Sequence, residues 1–388
     1  MKEQGMPAPD VAAAAHGERL LQRIREEIAA AGRIPFSRFM ELALYAPGLG
    51  YYSAGRRQFG AGGDFLTAPE LSPLFSHCLA RQCAQVLAGL EGGCILEFGA
   101  GSGVMAAALL EALAAAGTLP ERYLILEPGA ALRAQQQALL QQRLPGLMER
   151  IQWLERLPEA GFRGVVLANE VLDAMPVHRL VKRGGRFQEL YVTLADDELA
   201  LAEGPLSHPA LAAAPAQRLA ELPEGYVCEV NPAAAAWVRS VADFLAAGLA
   251  LVIDYGYPAA EYYHPQRLDG TLMCYYRHRA HGDPLHLPGL QDITAHVDFT
   301  ALAEAAVSVD LQVAGFSSQA AFLQGCGITD MVDLAAESDM QRQVELARQL
   351  RKLLLPGEMG EAFKVLALSR DWTEPLLGFS VRDDRVRL

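Results

Sequence analysis

The chain has 388 residues, 51% hydrophobic and 20% charged, which supplies a substantial core and does not fit a disordered protein. A formal net charge of −13 argues against a protein that grips nucleic acid by general electrostatics. Six cysteines without a C-x-x-C pair exclude a zinc ribbon and fit no disulfide framework, and no apolar run approaches the ~20 residues of a membrane span. The opening Met1-Lys2-Glu3-Gln4 lacks the compact apolar stretch of a signal peptide, so the cytoplasm is the expected compartment.

Residues 1–16 read as an alanine-rich lead. Gly17–Ala31 has helical periodicity through Leu20, Leu21, Ile24 and Ile28, and stops at Gly32. Pro35–Leu44 predicts a second helix, ended by Pro47-Gly48. Gly48–Asp64 is rich in glycine and aromatic residues, and a loop of that length is usually functional or disordered. Thr67-Ala68-Pro69-Glu70 has the spacing of a capping box, opening a helix expected over Leu71–Leu90.

An alternating α/β pattern follows, which implies a parallel sheet. Ile95–Phe98 is the first strand and Val104–Ala116 the first helix. Tyr123–Leu126, Ile151–Leu154 and Val165–Ala168 are strands two to four, with Ala130–Leu144 helical between the second and third. His178–Leu201 alternates apolar and polar residues around Arg183-Gly184-Gly185-Arg186, a hairpin signature. Pro232–Ala247 reads as helix, Leu249–Ile253 as a fifth strand, and 257–291 as a polar stretch rich in histidine and tyrosine. Ile293–Ala306 is expected to be helical, with late strands at Leu311–Phe316 and Phe363–Leu368.

Between strand one and its helix stands Glu97-Phe98-Gly99-Ala100-Gly101-Ser102-Gly103. Its glycines allow close approach of backbone to a ligand. The third glycine arrives one residue too early for the dinucleotide pattern G-x-G-x-x-G. With an acid two residues before the first glycine, the stretch resembles motif I of class I S-adenosylmethionine (SAM) methyltransferases. Glu127, at the end of strand two, can accept hydrogen bonds from two ribose hydroxyls, or can simply complement the dipole of the next helix. Glu170 and Asp173, three apart after strand four, would share a face if a helical turn began there. The same spacing also suits a helix N-terminus.

Taken together, Gly63 to Ser72, Glu97 to Gly103, Asn169 to Val177, Asp254-Tyr255-Gly256 and Gly289 to Phe299 resemble the MidA family. The resemblance runs from about residue 33 to the end. It implies an α/β, Rossmann-like class I SAM methyltransferase sheet with an N-terminal helical extension over 1–91. The methyltransferase domain would then span 92–388, with a β-rich antiparallel insertion after strand four (178–230) and an acceptor-side loop region (257–291). For the mitochondrial branch of the family it implies symmetric dimethylation of arginine on a respiratory complex I subunit.

The expected cofactor is SAM, contacted by Asp64, Thr67, Glu97, Gly99, Ala100, Gly101, Gly103, Glu127 and Asn169. The segments 48–64 and 64–70 would close over its methionine end or form the acceptor channel. Asn169, Glu170 and Asp173 are the expected catalytic residues. An arginine arrives charged, and carboxylates from Glu170 and Asp173 would orient and stabilise its guanidinium. Glu229 is a further candidate, although a solvated acid before a helix explains it as well. Cys274, His278 and His281 match zinc spacing only loosely, and no metal is expected.

The partner expected is a protein substrate with an arginine acceptor. No nucleic-acid partner is expected, and a homodimer is compatible with the sequence. Methylation of a small molecule or another side chain on the same fold stays open. So does an assembly chaperone that retains a SAM pocket, and, more distantly, a dehydrogenase.

Overall fold

The computed structural model describes residues 6–54, 66–218, 220–332, 337 and 339–388. Their contacts divide the chain into two compact units, each drawn from three separate stretches. One holds residues up to 65, 173–236 and 259–296; the other holds 66–172, 237–258 and 297–388.

The second unit is built on one sheet. Its strands are β1 (Cys94–Phe98), β2 (Tyr123–Leu126), β3 (Ile151–Leu154), β4 (Phe162–Asn169), β5 (Leu245–Tyr257), β6 (Val297–Asp298), β7 (Gln312–Ser318) and β8 (Phe363–Arg370). Their order is β7-β8-β5-β4-β1-β2-β3, with β6 paired to β5. The pairs from β3 through to β5 are parallel, whereas β8 runs antiparallel to both β5 and β7. Val165–Ala168 and Leu249–Ile253 are buried throughout, the uninterrupted apolar run expected of strands covered on both faces. The chain builds β1, β2 and β3 outward in one direction, then returns to lay β4 on the other side of β1. That reversal creates a switch point at the strand carboxyl ends between β1 and β4, where such sheets bind ligands.

The helices of this unit include α1 (Pro73–Gly89), α2 (Val104–Ala115), α3 (Ala130–Arg143), α4 (Phe299–Val307), α5 (Gln319–Gly325) and α6 (Met340–Leu354). Helix α2 is apolar nearly all round, with every residue from Met105 to Leu110 buried, so it belongs inside. The predicted capping box is not formed. Thr67 makes no side-chain cap and precedes only a single turn, Ala68–Leu71. Ser72 starts α1 instead, accepting from the Leu74 N–H at 3.3 Å ahead of Pro73 in the first turn. The helix expected over 293–306 also begins later, at Phe299. Asp298 caps it through the Ala301 N–H, while Asp292–Thr294 is a strand.

In the first unit the helix Val11–Ala31 begins within the expected lead, capped by Asp10. It buries Ala13, His16, Leu20, Ile24 and Ile28 along one stripe and ends at Gly32. A second helix, Phe36–Tyr45, shares that core. The hairpin is present: His178–Arg183 pairs antiparallel with Arg186–Ala195. Gly184 and Gly185 have φ of 55° and 74°, as a two-residue turn between twisted strands requires. Glu198–Gly204, Val227–Val230 and Ile34–Pro35 complete a five-stranded sheet. The polar stretch after 257 forms a three-stranded sheet from Met273–Tyr276, Arg279–His281 and Asp292–Thr294. Among the described residues, no helix is long and apolar enough to cross a membrane.

Candidate active site

Three strand ends converge at the switch point. The first is the glycine turn after β1. Gly99, Gly101 and Gly103 have φ of 61°, 52° and 86°, left-handed values at which a Cβ is penalised. The third of these glycines opens α2, and a Cβ there would sit 3.3 Å from the Gln136 Cα. The turn is pinned by the Gly99 N–H to the Leu126 carbonyl at 3.1 Å, and by the Gly103 N–H to the Ala100 carbonyl at 2.8 Å. Glu70 accepts from the Ser102 hydroxyl, so this acid braces the glycine turn rather than capping a helix.

Glu97, the acid of the motif, is fully buried and accepts from the Tyr123 hydroxyl on β2 at 2.6 Å. Burial pushes its carboxyl up to about 7; the phenol opposes the shift and the neighbouring Glu127 charge adds to it. That position makes Glu97 an internal strut between β1 and β2.

Glu127 follows β2 and is 5% exposed. Its Oε1 accepts from the Gly129 N–H at 2.8 Å and its Oε2 from the Gln136 amide at 3.2 Å. Burial raises its carboxyl above the ordinary range, while those two donors and Arg133 pull it back. The Arg133 guanidinium donates to the Glu127 backbone carbonyl at 3.0 Å and pairs with Glu155, 3.7 Å away. Both carboxylate oxygens therefore accept from one fixed donor each and keep a further lone pair, the acceptor pair that suits two vicinal hydroxyls.

The third strand end is β4. The Asn169 Oδ1 is buried without a hydrogen-bond partner among the described residues. Its amide nitrogen lies 3.4 Å from the Glu170 carboxylate. An orphaned acceptor at a switch point is a place for a ligand donor. Glu170 has φ of 51° and its N–H bonds to the Ile253 carbonyl at 2.9 Å. No helix begins here, so the expected shared helical face of Glu170 and Asp173 does not exist. Buried Asp254, from β5, holds the turn open by accepting from the Leu172 and Tyr255 N–H groups, each at 3.0 Å.

The remaining candidates fall elsewhere. Thr67 is 8% exposed beside the Ala68–Leu71 turn. Asp64 lies outside the described residues, as do the other residues of 55–65 in the segments expected to close over the cofactor. Asp173 belongs to the first unit, where its carbonyl accepts from the Ala295 N–H at 3.0 Å. There Tyr52 donates to Asp292 at 3.0 Å and stacks on Tyr45, with ring centroids 5.6 Å apart. Burial, then the Asp292 and Asp173 charges, push the Tyr52 phenol well above its ordinary value.

Glu229 is not solvated. It is fully buried, accepts from the Arg179 Nε at 3.2 Å, and accepts from both the N–H and the hydroxyl of Thr271 at 2.7 and 3.0 Å. Among the described residues no group of three or more histidine, cysteine or acidic side chains is placed to hold a metal. Gln136, which no motif marks, is the site residue that sequence reasoning missed. It lies between Leu132 and Leu140 on the buried stripe of α3, so helical periodicity places it inward, whereas its partners are visible only in the fold.

Three comparisons fit this geometry. Residues 78–317 match the profile of a family described as S-adenosyl-L-methionine-dependent methyltransferases. The mitochondrial protein arginine methyltransferase NDUFAF7 homolog of Caenorhabditis elegans is 27% identical, over 94% of this chain and 90% of its own length. The corresponding mitochondrial protein of Danio rerio is also 27% identical, over 90% of this chain and 86% of its own. A crystal structure from Burkholderia thailandensis bound to S-adenosyl-homocysteine is 48% identical, with a TM-score of 0.94 over 99% of this chain and all of that one. The class I methyltransferase sheet and the MidA resemblance are thereby borne out. The cytoplasmic expectation is corrected, since these arginine methyltransferase relatives carry mitochondrial names. Unpaired cysteines report a reducing environment and do not distinguish one compartment from another.

Proposed function

The chain belongs to the MidA-like family of S-adenosyl-L-methionine-dependent methyltransferases, and from that premise we propose that it N-methylates arginine side chains of a protein. The observation that carries the acceptor is the likeness, along nine-tenths of the chain, to relatives named protein arginine methyltransferases. When bound, the cofactor supplies an electrophilic methyl group on a sulfonium.

The chain's own residues do the rest. In this reading the glycines of 99–103 let backbone approach the adenosine, and Glu127 accepts from the ribose hydroxyls. The orphaned Asn169 Oδ1 takes a donor from the cofactor's amino-acid end or from the acceptor. Glu170, on the turn after β4, offers a carboxylate to the guanidinium. Such a cation has a pKa above 12, so a carboxylate there orients one nitrogen, holds the positive charge and takes up the proton which that nitrogen must lose on methylation. Asp64, Thr67 and Ala100 complete the proposed cofactor contacts, and Glu97 supports them from within the sheet.

The test incubates the purified protein with methyl-labelled SAM and lysate from cells lacking it, then analyses acid hydrolysates. Label in symmetric dimethylarginine of one protein band, lost in Glu127→Ala, is the expected result. Label confined to small molecules or to another amino acid overturns the arginine reading and leaves family membership untouched.

A further inference from the structure

A carboxylate that reads a diol has to be ionised and fixed in rotation, and burial works against the first of these for Glu127. Gln136 answers both needs. It sits on α3 and is fully buried. Its Nε2 donates to the Glu127 Oε2 at 3.2 Å and to the Gly101 carbonyl at 3.0 Å, and its Oε1 accepts from the Trp153 indole at 2.9 Å. An indole N–H only donates, so it locks the amide oxygen toward β3 and both amide hydrogens toward the carboxylate and the glycine turn. A single side chain thus ties together the loop after β1, the acid after β2 and the tryptophan of β3.

We propose that Gln136 is the positioning residue for the cofactor ribose: it sets the rotation of the Glu127 carboxylate against Gly101, so that the diol meets a preformed acceptor. The inference rests on Glu127 taking the ribose hydroxyls. The charged groups facing Glu127 are Glu97 on β1, which repels it, and Arg133 on α3, which favours its ionised form without donating to the carboxylate: its guanidinium donates to the Glu127 backbone carbonyl and lies 3.7 Å from Glu155. With no cation on the carboxylate itself, the Gln136 amide and the Gly129 N–H are the neutral donors that favour its charged form. Loss of the amide moves Glu127 further up, so a protonated, poorly accepting carboxyl persists to higher pH.

The experiment titrates S-adenosyl-homocysteine, and an analogue lacking both ribose hydroxyls, into the wild type and variants across pH 5.5–9 by calorimetry. Gln136→Met, of similar volume, is expected to weaken S-adenosyl-homocysteine about tenfold, since it removes a hydrogen bond to a charged group, and to leave the analogue unchanged. Its acid limb of binding should also move to higher pH. Gln136→Glu places an acceptor against two acceptors. It should bind worst at high pH and recover on acidification, when one shared proton restores a donor, opposite to the wild type. Should Gln136→Met fold poorly, Trp153→Phe frees the amide to rotate and should cut the preference for the diol in the same direction, by less.

Equal weakening of both ligands by Gln136→Met, with the wild-type pH profile, means a merely structural role and overturns the inference. So does an unchanged preference in Gln136→Met alongside its loss in Glu127→Ala. If Glu127→Ala itself keeps the preference, the ribose assignment fails first and this inference fails with it.

Discussion

Glu127 and Glu229 are both buried acids, one in each unit, and their surroundings treat them differently. Glu229 meets a guanidinium and two donors from Thr271. Likewise, in the same unit, burial would raise the fully buried Glu189. The His178 ring at 2.7 Å and the Ser207 N–H at 2.6 Å nevertheless hold it below the usual carboxylate range. Glu127 and Glu97 receive only neutral donors on their carboxylates, a phenol, a backbone N–H and an amide, and both are pushed upward. A carboxylate neutralised by a cation from its own fold has little left for a ligand. Glu189 and Glu229 in the first unit are occupied by a histidine and an arginine of their own fold, whereas Glu127 at the switch point of the second keeps lone pairs free of any cation.

The largest expected effect breaks the structural half of that contrast. Glu229→Ala leaves the Arg179 guanidinium buried without its carboxylate, which costs about 3–5 kcal/mol of stability by chemical denaturation. Affinity for S-adenosyl-homocysteine per folded molecule should barely change.

The next effect concerns pH and separates the units by sign. Glu97 rises from 4.5 to about 7 in the fold. Between those values the folded chain holds a proton that the unfolded chain has released, so stability falls as pH rises through the window. Glu97→Gln removes that slope, and above pH 7 it should stabilise by about 3 kcal/mol, the equivalent of the shift. His296 in the first unit is lowered from 6.5 to about 4, chiefly by burial. Its unfolded form takes up the proton first, so its contribution is lost as pH falls from 6.5 toward 4. Thermal melts of the wild type and Glu97→Gln between pH 4 and 8 check both slopes.

Asp254→Ala strips the acceptor from the Leu172 and Tyr255 N–H groups, at about 1–3 kcal/mol each. Because that turn carries Glu170, methyl transfer should fall by more than cofactor affinity does. Gly103→Ala is the smallest, about 1–2 kcal/mol for a left-handed φ of 86°. Its expected sign of damage is a weaker cofactor, since the Gln136 backbone stands 3.3 Å from the new methyl.

Features with local signatures are legible in the sequence. The glycine turn, the acid after strand two and the Gly184-Gly185 hairpin each depend on residues adjacent in the chain. The errors came where a local rule met a stronger partner from far away. Thr67 and Glu70 have capping-box spacing, yet Ser72 with Pro73 makes the better helix start and Glu70 is drawn to Ser102. Ile293 and Thr294 join a strand, and the helix waits for Asp298, which caps it through the Ala301 N–H. Glu229 looked like a solvated acid because nothing near it in sequence supplies the arginine that buries it. The role of Gln136 is hidden for the same reason, as its three partners come from the turn after β1, the acid after β2 and the body of β3.

The most direct measurement of the central claim is calorimetric titration of S-adenosyl-homocysteine into Glu127→Ala and Glu229→Gln at one pH. Loss of about a hundredfold in the first, the equivalent of about two hydrogen bonds to a charged group, with no more than about a twofold change in the second, is the result predicted. Equal losses, or a cofactor that binds Glu127→Ala as it binds the wild type, would contradict the division between acids that hold the fold and the acid kept for the ligand.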